Sequence, residues 1–234
     1  MSRLILTPSK WIVYTCRMRH KAGRPERPYH HGDLRNALLQ AGLEILDKEG
    51  IAAVTLRAIA ARADVSHAAP SHHFGNVKGL MTALATIAFD RLYASIQAAV
   101  DAAPNQTAEQ VRAAGHGYLS FATSNPGLFR LMFTCSLVDD ADPELQRAGD
   151  RAYQQLLSIA GPAAAQRGSR STDDVSAVAL QMWCTVHGFA HLLLEGQIDA
   201  PPGGGSPASL LPDIAGLLLG NVKARGSAAK GRRR

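Results

Sequence analysis

Five polar side chains fall within eight residues of this chain: Ser66, His67, Ser71, His72 and His73. Hydroxyls and imidazoles so close together can donate to phosphate oxygens or exchange hydrogen bonds with base edges. Those are the two kinds of contact that nucleic-acid recognition needs. Ala68, among them, permits close approach and can meet a thymine methyl. Arg35, Arg57 and Lys78 are candidates for phosphate contact, and Thr55 can grip the backbone beside Arg57, where a helix N-terminus adds a favourable field. His72 and His73 are adjacent and diverge on a helix, so core or phosphate roles suit them better than a shared metal.

The stretch TLRAIAARADVSHAAPSHHF, residues 55–74, must position these groups. Thr55 is suited to cap one short helix, and Leu56, Ile59, Ala60 and Ala63 give it an apolar face. Asp64 tolerates the left-handed conformation of a sharp turn. Val65 plugs the corner, and Ser66 is placed to cap a second helix, whose first turn Pro70 stiffens. Phe74 is a core anchor. This is the layout of a helix-turn-helix, whose second helix enters the major groove. A helix over 33–48 precedes it, with Leu34, Leu38, Ala41, Ile45 and Leu46 as its buried stripe and Gly50 as its stop. Asn76 is placed to cap a long helix to about Ala103. Further helices are expected over 107–124, 126–135, 143–160, 172–195 and 207–220, with breaks at Asn125-Pro126-Gly127 and Gly161-Pro162. The fold class is therefore all-α.

Charge is distributed unevenly. Residues 1–80 hold 12 Lys+Arg against 6 Asp+Glu, residues 81–220 hold 7 against 13, and residues 221–234 hold 6 against none. A basic end on an acidic body is the footprint of a DNA-binding head with a regulatory half. Residues 1–28 are expected to form a flexible basic arm, with Arg24 and Arg27 in reach of phosphate or the minor groove, and Met18 is an alternative start. Residues 221–234 form a basic tail. Hydrophobic residues make up 46% of the 234, enough to build a core. Cys16, Cys135 and Cys184 lack framework spacing, so a reducing cytoplasm is the expected location. No secretory signal or membrane span is expected.

Residues 29–60, YHHGDLRNALLQAGLEILDKEGIAAVTLRAIA, and 72–84, HHFGNVKGLMTAL, flank and overlap the motif. Together they resemble the N-terminal DNA-binding domain of the TetR family of bacterial regulators. Trp183, His187 and Gly188, in QMWCTVHGFAHLLLEG, resemble the Trp-x3-His-Gly signature of one group of TetR C-terminal domains. The resemblance implies a DNA-binding domain over 29–80 and a helical regulatory and dimerisation domain over 81–220. Three positions differ from the family pattern. Ser71 stands where an aromatic is usual, Val77 where a basic residue is usual, and Asp64 where Gly is common.

The resemblance also implies a small apolar ligand held between helices of the body. Phe121, Phe129, Met132, Phe133, Tyr153, Met182, Trp183 and His187 are the candidate lining. The helix at 172–195 is apolar almost all round, so it must be covered on more than one side. Val178, Val186, Gly188, Phe189 and Leu193, with Leu211 and Leu218 of the last helix, are the candidate homodimer interface. Cys184, His187 and His191 share a helix face, but no fourth ligand is evident and the surroundings are apolar, so neither metal nor cofactor is expected. There is no phosphate-binding Gly loop, Ser/His/Asp grouping or HExxH, so an enzyme is not expected. The expected function is a ligand-responsive repressor acting as a homodimer on a palindromic operator. The alternatives are an architectural DNA binder and, less favoured, a helical enzyme with a DNA-binding head.

Overall fold

The computed structural model describes residues 31–166, 168 and 171–198. Those residues form eight α-helices: α1 (His31–Glu49), α2 (Leu56–Arg62), α3 (Ala69–Phe74), α4 (Val77–Ala102), α5 (Thr107–Ser124), α6 (Pro126–Met132), α7 (Pro143–Gln166) and α8 (Thr172–Leu194). Short 3-10 turns lie at Ile51–Ala53 and Cys135–Leu137. Helices α1 to α3 make the head. Helix α4 leads from it into a body of α5 to α8. The arm, the basic tail and the helix expected at 207–220 lie outside the described residues.

Local chemistry sets the starts of the helices. Thr55 Oγ1 accepts from Ala58 N at 3.1 Å, and Asn76 Oδ1 accepts from Gly79 N at 3.1 Å, so both expected caps form. Asp64 takes the left-handed conformation, at φ 53°, that the turn between α2 and α3 requires. The cap expected from Ser66 does not form through its side chain. Ala69 N instead donates to the Ser66 carbonyl at 3.0 Å, and α3 starts one turn later behind Ala68. Residues 66–68 therefore form a tight turn leading into a short helix.

The break expected at Gly161-Pro162 is absent, and α7 runs through both residues. Proline inside a helix removes a hydrogen bond and costs about 3 kcal/mol. Three methyl groups beside it, on Ala160, Ala163 and Ala164, are completely buried against α5 and α8. At about 0.8 kcal/mol each, their burial nearly offsets that cost. Helix α6 stops at Met132 rather than at 135, and the chain turns through Cys135–Leu137 before α7.

One continuous core joins head and body. Leu38, Ile45, Leu46 and Ile59 of the head pack in the same cluster as Leu80, Leu84, Phe121 and Phe129. A second, smaller cluster of Val111, Ala160, Ala163, Ala164, Val178, Ala179 and Met182 fills the far end of the body. Helix α8 is long and apolar enough by composition to cross a membrane. Here it is a bundle helix, with Val178, Ala179, Met182, Phe189 and Ala190 buried against the rest.

Candidate nucleic-acid interface and regulatory core

The helix-turn-helix presents its polar groups outward. Thr55 and Arg57 are exposed at the start of α2, and Ser66, His67, Ala68, Ser71 and His72 are exposed from the turn into α3. Pro70 is buried, and Phe74 and Val65 pack against the core, so the apolar side of α3 faces inward. Lys78 is exposed in the first turn of α4, where a cation opposes the helix dipole and so gains nothing locally.

Two expected phosphate contacts are partly engaged within the protein. The Arg35 guanidinium lies 5.5 Å from the centre of the Phe74 ring, so it also braces the end of α3. His73 is half-buried beside Phe74, with ring centres 6.2 Å apart. Arg62 is held by Glu49 at 2.5 Å and Glu44 at 3.6 Å, tying α2 to the end of α1.

Three fixing residues were not legible beforehand. A Cβ on Gly79 would lie 2.2 Å from the Phe74 carbonyl oxygen, so glycine lets α4 begin directly against the end of α3. A Cβ on Gly127 would lie 2.7 Å from the Leu46 carbonyl oxygen, so α6 abuts α1 at the joint between body and head. Buried Thr82 donates to the Lys78 carbonyl at 2.8 Å and accepts from Asp139 N at 2.8 Å. It ties the segment after α6 to α4, one turn from Lys78. Glycine at a helix start and threonine in a helix are common enough that neither position signalled these contacts.

In the body, the structure gathers part of the expected ligand lining. Phe129 of α6 and Phe133, just after it, meet Trp183 and His187 of α8 and Tyr118 of α5. Ring centres lie at 4.4 Å for Phe133–His187, 5.4 Å for Phe129–His187 and 5.9 Å for both Tyr118–Phe129 and Trp183–His187. His191 joins this cluster, 4.5 Å from His187. Tyr118 and Phe129 are its buried floor, while Phe133, Trp183, His187 and His191 are only partly buried. Phe121 and Met132 are core residues, Met182 belongs to the second core cluster, and Tyr153 is half-buried on α7.

Polar groups in this cluster are ordered. The Tyr118 hydroxyl and His187 Nδ1 are 2.7 Å apart. Burial pushes the Tyr118 phenol far above its usual range. Burial, with the neighbouring His191 adding to it, lowers His187 from 6.5 to about 4, so the imidazole is neutral at physiological pH. A separate open groove of about 190 Å³ lies between α1, α4 and α6, lined by Gln40, Glu44, Asp47, Lys48, Arg91 and Asn125 among others. None of the expected lining residues borders it.

The expected dimer residues divide. Val178 and Phe189 are buried inside the protomer, where a second copy cannot reach them, and Val186 and Leu193 pack against the core. Gly188 is exposed, and a Cβ there would meet no atom of the described residues within 4 Å. The outward stripe of α8 is Ala177, Gln181, Cys184, Gly188 and Leu192, of which Leu192 is 50% exposed. Leu211 and Leu218 lie outside the described residues. Among the described residues no three His, Cys, Asp or Glu side chains converge on a metal position, and Cys184 is a free, exposed thiol.

An all-α chain with an outward helix-turn-helix on a helical body is the architecture of a DNA-binding regulator. Sequence comparison agrees. The profile described as bacterial regulatory proteins, tetR family, matches residues 38–84, and that described as a tetracyclin repressor-like C-terminal domain matches 111–209. Among solved structures, a Rhodococcus protein of unknown function is 32% identical, covering 84% of this chain and 98% of its own, with a TM-score of 0.70. The TetR family transcriptional regulator PfmR from Thermus thermophilus shares the fold at 17% identity, covering 80% of this chain and 98% of its own, with a TM-score of 0.56. The fatty acid degradation regulator FadR from Bacillus halodurans does so at 12% identity, covering 86% of this chain and 100% of its own, with a TM-score of 0.61. No curated protein matches the sequence. The chain belongs to the TetR family and is a DNA-binding transcriptional regulator.

Proposed function

We propose that this regulator is a ligand-responsive repressor that acts in the cytoplasm as a homodimer on a palindromic operator. The observation that carries the ligand response is the position of α6. Its Phe129 and the adjoining Phe133 are rings of the aromatic cluster, while its Gly127 abuts Leu46 of the head. A small apolar molecule against Phe133, Trp183 and His187 would bear on α6, and through it on α1. It acts only by binding one arrangement of head and body better than the other. Thr82 supports the same route, since it links the segment after α6 to the helix that starts beside the recognition helix.

Dimerisation is supported by α8, an apolar helix whose outward stripe is not covered by the other described residues. The small side chains Ala177, Cys184 and Gly188 suit close approach of a second copy, with Leu192 at the end of the contact. On DNA, Thr55, Arg57, Ser71 and Lys78 are assigned to phosphates, with Arg35 as a bracing residue in reach of the backbone. His67, Ala68 and His72 are assigned to base edges, and Ser66 and His73 support the turn on either side. The packing of Trp183 beside His187, ring centres 5.9 Å apart, supports placing the body in the Trp-x3-His-Gly group.

Selection of bound sites from random duplex DNA at near-physiological salt tests this reading. A palindrome with half-sites about one helical turn apart is the expected result. Equal recovery of all sequences would favour an architectural binder instead.

A further inference from the structure

The hydrogen bond of Tyr118 sets the direction of a short polar chain. The Tyr118 side chain is buried, and the partner of its hydroxyl among the described residues is His187 Nδ1 at 2.7 Å. Burial keeps the phenol protonated, and a buried O–H needs an acceptor, so it donates to His187 Nδ1. A neutral imidazole that accepts at Nδ1 carries its proton on Nε2. The chain therefore runs from Tyr118 to His187 and ends on an N–H. No described residue is hydrogen-bonded to that Nε2.

The surroundings of this donor are rings. Phe129 and Phe133 stand 5.4 and 4.4 Å from the imidazole centre, and His191 stands 4.5 Å away. Arg130, beside Phe129 on α6, is paired with Glu195 at 2.9 Å. A carboxylate here would shed its water without a matched free cation, which is costly. An uncharged acceptor has no such penalty and satisfies the one open donor.

We propose that the effector is a flat, largely apolar, uncharged molecule carrying a carbonyl-type acceptor, which His187 Nε2–H reads while Phe133 and Trp183 hold its body. This rests on the ligand-responsive reading and assigns that site its polar contact. Tyr118 is a positioning residue, because it sets which imidazole nitrogen bears the proton.

The full-length protein is titrated with three probes of one shape: 2-acetylnaphthalene, 2-ethylnaphthalene and 2-naphthoate. The ketone is expected to bind about tenfold or more tighter than either of the others, the effect of one well-made hydrogen bond in a part-buried site. His187→Phe abolishes that preference while keeping a ring. Tyr118→Phe reduces it, because Nδ1 is freed and the tautomer is no longer fixed. Nitrogen-15 spectra of the unliganded wild type are expected to show the proton of His187 on Nε2. A dominant Nδ1–H form, equal binding of ketone and hydrocarbon, tightest binding of the naphthoate, or binding of none of the three overturns the proposal. Operator release is measured in parallel. Release by a compound that acts equally on His187→Phe would overturn this assignment and leave the ligand-responsive reading standing. Selective binding with no release would do the reverse.

Discussion

Replacing His187 by Gln should remove an acid-sensitive component of stability. In the folded chain burial, and to a smaller extent the adjacent His191, hold this imidazole at about 4, against 6.5 for an unhindered histidine. The unfolded chain therefore takes up a proton at His187 first as pH falls. The stabilisation from keeping the ring neutral is full above about pH 6.5 and is lost progressively down to about pH 4. A gap of that width, at about 1.4 kcal/mol per pH unit, sets a ceiling of about 3 kcal/mol. The ring is only partly buried, and solvent screening brings the expected loss to about 1–2 kcal/mol. The other titratable groups around it are Tyr118 on α5, His191 on the same helix, and Glu195 in its pair with Arg130. Gln keeps an oxygen to accept from Tyr118 but cannot take up a proton. Urea unfolding midpoints at several pH values between about 7 and 4 measure the effect. The variant's stability should fall less than the wild type's by about 1–2 kcal/mol over that interval. If both fall in parallel, His187 is not the group being charged, and the neutral imidazole assigned here is wrong.

Further substitutions test the head and its joint with the body. Gly79→Ala puts a methyl 2.2 Å from the Phe74 carbonyl oxygen. It should displace α3 at a cost of about 1–3 kcal/mol and lower operator affinity at least tenfold in a binding titration, with helical content nearly unchanged. Arg57→Ala should weaken binding to all sequences and reduce the salt slope by about one, whereas His67→Ala should change sequence preference; like effects from both would undo the division between positioning and reading. Thr82→Val leaves Asp139 N without its partner and should cost about 1–3 kcal/mol in thermal or urea unfolding. If the link to α4 transmits the ligand signal, the same variant should also blunt effector-induced operator release.

How far each feature could be read from the sequence follows from how far apart its partners lie. Thr55 caps a residue three positions away, Asn76 does the same, and Asp64 needs only its own turn. Such interactions are written locally, so residue type and spacing suffice to read them. Thr82 meets a residue 57 positions on, and Tyr118 meets His187 across 69. No periodicity encodes those distances, although the Trp-x3-His spacing marked one end of the second. Pro162 was misread because a local preference was outweighed by methyl burial that only the packed bundle supplies.

Helix α8 shows the same limit from the other side. Its sequence is apolar around nearly the whole circumference, which indicates covering on several sides but not which side meets which neighbour. Packing resolves it: Val178 and Phe189 turn in, while Ala177, Cys184, Gly188 and Leu192 turn out. The inward residues anchor the helix to its own bundle, so the homodimer proposed above has only the outward ones to use. On that reading a bulky substitution at Gly188 weakens the pairing of two copies and leaves the described bundle intact, because no atom of the described residues lies within 4 Å of the added carbon.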